Sequence, residues 1–136
     1  WIDATDEHGI DRVFLVAPSS SDERLATVAS TCTGFVYAAS TMGVTGARTT
    51  VSSAAPALVE RVRQVTNIPV CVGLGVSTGQ QAADVAAYAD GVIVGSAFVK
   101  ALLDAPSPAE GAAAAAALAA ELATGVRSAA KAGSTR

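Results

Sequence analysis

With 136 residues and 51% apolar content the chain has the size of one ordinary domain and ample material for a core, while its apolar runs are strand-sized or diluted with alanine, small residues and charge. None of those runs offers the roughly 20 apolar residues of a membrane span, and a net charge of -3 with a pI near 4.9 argues against a nucleic-acid binder, which would cluster Lys and Arg. Cys32 and Cys71 lie in or beside apolar segments without metal spacing, so both read as reduced core residues, as suits a cytoplasmic protein.

The chain opens on "WIDATDEHG", which reads as the last turns of a helix running into a C-cap glycine, Gly9. A helix already in progress at the first residue gives the expectation that this is the back part of something longer, a single unit over residues 1–136 whose front half is absent. "RVFLVAP" is a continuous apolar run of strand length stopped by Pro18, and "SSSDERLATVAS" follows as a short amphipathic helix capped by a serine or Asp22. "GFVYAAS" is the second strand. A loop with Gly43, Thr45 and Gly46 comes next, then "SSAAPALVERVRQVT", which places Leu58, Val59, Val62 and Val65 at helical spacing behind a serine cap. "IPVCVGLGV" is the third strand and "STGQQAADVAAYA" the third such helix, with Ser77 or Thr78 as its cap. "GVIV" is the fourth strand, turning at Gly95 into a helix that begins near Ser96. "SPAEGAAAAAALAAELATGVRSAAKAG" closes the chain as a long helix, whose alanine run predicts a tightly packed outer element.

Four strand-loop-helix units with strands apolar on both faces imply parallel strands covered by helices. The choice lies between an open doubly wound sheet and a (β/α) barrel. Glycine-rich turns at three of the four strand ends favour the barrel, which gathers its ligand from several successive loops on one rim, whereas an open sheet concentrates the signal at one switch point. Four units are half of an eight-strand barrel.

The chemistry gathers at those glycines. A strand that ends in Gly95-Ser96 and opens a helix at once leaves free backbone N–H groups aimed at the strand's C-terminal end, an anion site; the plain alternative is a helix cap with a packing glycine. Gly73 and Gly75 flank Leu74 at the end of the third strand, where glycine means close backbone approach or a rim bend. Two neighbouring strands ending this way at one rim point to a phosphate. Tyr37 is a candidate to face the barrel interior and touch a ligand, the alternative being ordinary core. His8 reads as solvated, Ser19, Ser20 and Ser21 have no G-x-S-x-G elbow, and "GLGVST" lacks the third glycine of a dinucleotide fingerprint. No paired carboxylates sit where the glycines gather.

Taken together, "GFVYAASTMGVTGAR", "PVCVGLGVST" and "ADGVIVGSAFVK" resemble the sixth, seventh and eighth strands of the tryptophan synthase alpha subunit family, a TIM barrel. The likeness covers essentially the whole chain as the rear half of that barrel, strands five to eight. It implies retro-aldol cleavage of indole-3-glycerol phosphate to indole and glyceraldehyde 3-phosphate. Gly46 would then present backbone to the substrate phosphate, Thr45 would help close the loop over it, and Gly43 would give that loop freedom. Gly75, Gly95 and Ser96 would complete the phosphate site, with Tyr37, Gly73 and Leu74 lining the indole and glycerol part. Leu74 stands where relatives commonly carry phenylalanine, and Thr41 where many carry arginine. The family's acid and base carboxylates belong to the second strand and its loop, outside this chain, so no catalytic residue is expected here and the chain alone is expected to be inactive. The resemblance also implies a beta-subunit partner in an alpha-beta-beta-alpha assembly, with pyridoxal phosphate in the partner and no cofactor or metal in this chain. Two other readings are another phosphate-binding barrel enzyme, such as an epimerase, indole-glycerol-phosphate synthase or thiazole synthase, and a non-catalytic half-barrel module. The first would be expected to place catalytic Lys, Asp or Glu on these strands. A half barrel leaves two strand edges and one interior layer open, so self-association is expected.

Overall fold

The computed structural model describes residues 1–39, 54–73 and 75–129. In chain order the elements are α1 (Ile2–Glu7), β1 (Phe14–Val16), α2 (Asp22–Thr31), β2 (Val36–Ala39), α3 (Ala54–Arg63), β3 (Val70–Gly73), α4 (Gly79–Ala86), β4 (Gly91–Ile93), α5 (Ser96–Leu103) and α6 (Pro108–Ser128). The expected strand-helix alternation is present throughout. Thr45, Gly46 and Leu74, together with Thr41 and Gly43, lie outside the described residues.

All four strands are parallel and pair in the order β1-β2-β3-β4. That sequential order decides between the two architectures, because a doubly wound sheet reverses its order at a switch point and a barrel does not. With every crossover of one hand, sequential parallel strands carry their helices on a single face. Burial agrees. Val16, Val36, Ala38, Val70 and Val72 face the helices and form one core with Leu25, Val28, Leu58, Val59, Val62, Ala82, Val85 and Leu122. The opposite rows are Leu15, Tyr37, Cys71 and Gly91, then Ala39, Gly73 and Ile93, each set paired in register. Leu15 is 55% exposed, so this second face is open at its β1 edge. This is the arrangement of half of a (β/α)8 barrel.

Local chemistry explains most boundaries. α1 ends in a Schellman motif: Gly9 sits at φ +61, its N–H donates to Asp6 O (3.2 Å), and the Ile10 N–H donates to Thr5 O (2.8 Å). Ser21 caps α2 by accepting from the Arg24 N–H, Thr78 caps α4 by accepting from the Gln81 N–H, and Ser107 caps α6 by accepting from the Glu110 N–H. The serine cap expected for α3 lies outside the described residues.

Three expectations need correction. Val65 is not on the buried face of α3: the helix ends at Arg63, its last turn tightening through Val65 N–H to Val62 O, and Val65 is 42% exposed. Cys71 is not core; it lies half-buried on the open sheet face, while Cys32 is buried as expected, and both are free thiols. The alanine run is not tightly packed either. Residues 112–114, 116 and 117 are exposed, and α6 docks instead through buried Gly111, Leu122 and Gly125.

Arg12 fixes the edge of the sheet opposite the strand C-termini. Its side chain is 8% exposed, with Nε donating to Thr31 O (2.9 Å) and Nη1 donating to Thr5 Oγ1 (2.9 Å) and pairing with Asp6. The guanidinium therefore joins α1 to the end of α2. Among the described residues no helix is long and apolar enough to cross a membrane.

Candidate functional site

Parallel strands share one C-terminal edge, and the sheet register says which residues meet there. Gly73 pairs with Ile93, so Gly75 and Gly95 each lie two residues beyond a paired position on neighbouring strands. Tyr37 is one position behind Ala38 on β2 and faces the open side. Its ring leans diagonally over Gly73: a Cβ built on Gly73 would lie 2.5 Å from the Tyr37 hydroxyl and 2.9 Å from the Ile93 Cβ. Glycine at 73 is thus the space into which Tyr37 and Ile93 close, and the phenol is delivered to the end of β3. What comes close at Gly73 is thus a neighbouring side chain of the sheet itself.

The other two glycines differ from each other in their cause. Gly75 has φ +87, a left-handed conformation that L side chains adopt at a cost, so the turn itself demands glycine. Gly95 has φ -127, and among the described residues nothing lies within 4 Å of a Cβ built on it, so packing does not demand glycine there. What a side chain would enter is the open space ahead of α5. That helix differs from α2, α4 and α6 at its N-terminus. α2, α4 and α6 each have a side-chain cap, whereas α5 has Gly95 as its cap residue and no side-chain cap hydrogen bond. Among the described residues the N–H groups of Ser96 and Ala97, which have no acceptor within a helix's first turn, meet no partner, and the exposed Ser96 hydroxyl lies beside them. Backbone donors and the positive end of the helix dipole make that place attractive to an anion.

Tyr37, Gly73, Gly75, Gly95 and Ser96 therefore lie toward one end of the same sheet. Sequence reading missed Leu15 and Ile93, which line the same open face. The period-two alternation that places Tyr37 there assigns both of them once the register is known. Gly91 was also unread: it makes room for Cys71, whose Sγ would lie 2.7 Å from a Cβ at 91. Among the described residues no cluster of His, Cys, Asp or Glu could hold a metal ion.

Burial on a partly apolar face raises the Tyr37 phenol above its ordinary value. Tyr88 is raised by burial and then by the charge of Asp84, and the Cys71 thiol by burial and then by Asp90. A group whose folded-state pKa is raised contributes stability that is complete below its unfolded value and lost as pH rises through the folded value. Stability should accordingly decline on the alkaline side, above about pH 8.5 for Cys71 and about pH 10 for the tyrosines. Unfolding midpoints at neutral and alkaline pH would check this: Tyr37→Phe and Tyr88→Phe should each show a smaller alkaline loss than the parent, and equal losses would contradict the assignment.

The sequence model of the family described as "Tryptophan synthase alpha chain" matches residues 1–129. Curated relatives of that name include one from Mycobacteroides abscessus, 66% identical over 127 residues that make up 93% of this chain and 46% of the relative. Another, from Thermobifida fusca, is 58% identical over 134 residues, 96% of this chain and 50% of the relative. The chain spans about half the length of the curated relatives it matches. Among solved structures, a Mycobacterium tuberculosis tryptophan synthase superposes with a TM-score of 0.81 at 60% identity, covering 93% of this chain and 46% of that one. A mutant alpha subunit from Pyrococcus furiosus gives 0.75 at 31% identity, covering 90% and 48%.

Proposed function

This chain belongs to the tryptophan synthase alpha chain family, and from that membership we propose that it supplies the phosphate grip of the alpha reaction, the cleavage of indole-3-glycerol phosphate to indole and glyceraldehyde 3-phosphate. The observation that carries the reading is the start of α5: a helix N-terminus without a side-chain cap, behind a glycine that packing among the described residues does not require. The substrate phosphate would accept from the Ser96 and Ala97 N–H groups and the Ser96 hydroxyl, with the Gly75 turn closing the neighbouring side. Tyr37, Leu15 and Ile93 would bound the apolar part of the ligand, next to the phosphate and on the open sheet face.

In this reading the chain binds and orients but does not move protons. The described rim carries no carboxylate pair to act as acid and base on the indole carbon and the glycerol hydroxyl, chemistry that needs groups within hydrogen-bond reach of the reacting atoms. That chemistry falls to the second strand of the full-length subunit, a lyase of which this chain is the binding half. The roles of Thr45, Gly46 and Leu74, which lie outside the described residues, rest on the family resemblance alone. The partner is the beta subunit, which carries the pyridoxal phosphate and receives indole; this chain needs no cofactor of its own. Calorimetric titration with glycerol 3-phosphate, then with indole-3-propanol phosphate, tests the reading. Saturable binding of both, tighter for the second because it adds apolar contact, is the expected result. Absence of saturable binding by the folded chain would overturn it.

A further inference from the structure

α4 and α5 begin just past the glycine-bearing ends of β3 and β4, and among the described residues only α4 has its first N–H taken by a side chain of another element. At α4 the first helical N–H, that of Gly79, donates to Glu121 Oε1 at 2.7 Å, and Glu121 belongs to α6. The carboxylate sits on the positive end of α4 and adds to the local Thr78 cap. Its approach is fixed by backbone contact, since a Cβ on Gly79 would lie 3.0 Å from Glu121 O and one on Gly125 would lie 2.0 Å from Gly79 O.

Gly79 closes the segment that holds the Gly75 turn. Between them Val76 is buried (3% exposed), the Ser77 N–H and hydroxyl both donate to Gln81 Oε1 (2.8 and 3.1 Å), and Thr78 caps the helix. Among these partners Glu121 alone comes from another element. We infer that Glu121 is a positioning residue for phosphate binding: from the C-terminal helix it anchors the end of the Gly75 segment and fills the α4 N-terminus with a carboxylate. The ligand phosphate is thereby turned toward α5, whose first N–H groups have no such partner among the described residues. The inference rests on the phosphate reading of the site given above, and goes beyond it by assigning a role to a residue well outside the rim.

The test is titration of the full chain with inorganic phosphate and with glycerol 3-phosphate, alongside thermal unfolding. Glu121→Ala should weaken both ligands about fivefold, the size of a lost helix-cap interaction. Glu121→Gln, which keeps an acceptor oxygen at the same reach, should restore affinity to within about twofold. Arg12→Met is the stability control: it removes the guanidinium at the opposite edge of the sheet, lowers the melting temperature, and should leave both dissociation constants unchanged. If Glu121→Ala does not fold, Glu121→Asp, one methylene short of Gly79, carries the same expectation. Wild-type affinity in folded Glu121→Ala or Glu121→Asp would overturn the inference while leaving the phosphate reading intact, as would an equal loss in Arg12→Met. No binding by the wild type would overturn both.

Discussion

Gly125→Ala should lower the melting temperature by about 10 °C, corresponding to roughly 3 kcal/mol of overpacking in a domain of this size. The cause is a helix crossing with no spare room. A Cβ on Gly125 would lie 2.0 Å from the Gly79 carbonyl oxygen, 2.7 Å from its carbonyl carbon and 2.9 Å from its Cα. These are backbone atoms, so no side-chain rotation relieves them, and α6 must move away from α4. Movement breaks the Glu121 contact with Gly79 and uncovers Leu122, which is 7% exposed. Gly111 is the internal control. It is buried in the same helix, but the nearest atom to a Cβ there is Leu102 O at 3.4 Å. Gly111→Ala therefore gains helix propensity, up to about 1 kcal/mol, against a small packing cost. Thermal melts in which Gly111→Ala is as damaging as Gly125→Ala would contradict this account of how α6 docks.

Gly95→Val has the opposite profile: folding nearly unchanged and phosphate affinity reduced by more than about tenfold, the loss of at least one charge-assisted hydrogen bond. Packing tolerates the side chain, since among the described residues no atom lies within 4 Å of the new Cβ. The branched methyls then stand in the space ahead of the Ser96 and Ala97 N–H groups. Calorimetry with glycerol 3-phosphate and a parallel melt separate the two effects. An unchanged dissociation constant in Gly95→Val would show that the anion does not sit at α5.

Much of the fold was legible because it is written in local signals. The apolar runs around Phe14, Val36, Val70 and Val92, the caps at Ser21, Thr78 and Ser107, and the glycine after α1 each carry their own chemistry within a few residues. The rim glycines were legible for the same reason. What stayed hidden depends on partners far away in sequence. Nothing near Gly125 announces that it crosses Gly79, nothing near Glu121 announces that it meets an N–H 42 residues earlier, and Arg12 looks like any surface arginine until α1 and α2 close around it. Period alone also overreaches. It carried the α3 face on to Val65 because it does not see where a helix stops, and it read the alanines of α6 as packed because it does not see which side has a neighbour. Leu15 and Ile93 needed only the strand register, which four parallel strands in sequential order provide.

In the function proposed above, phosphate binds at the N-terminus of α5 and not at that of α4. Backbone amide chemical shifts recorded while glycerol 3-phosphate is added to the labelled chain test it residue by residue. Saturable shifts are expected at Gly75, Ser96 and Ala97, with Gly79 changing little because its N–H already holds the Glu121 carboxylate. Shifts centred on Gly79, with Ser96 and Ala97 unmoved at saturation, would contradict it.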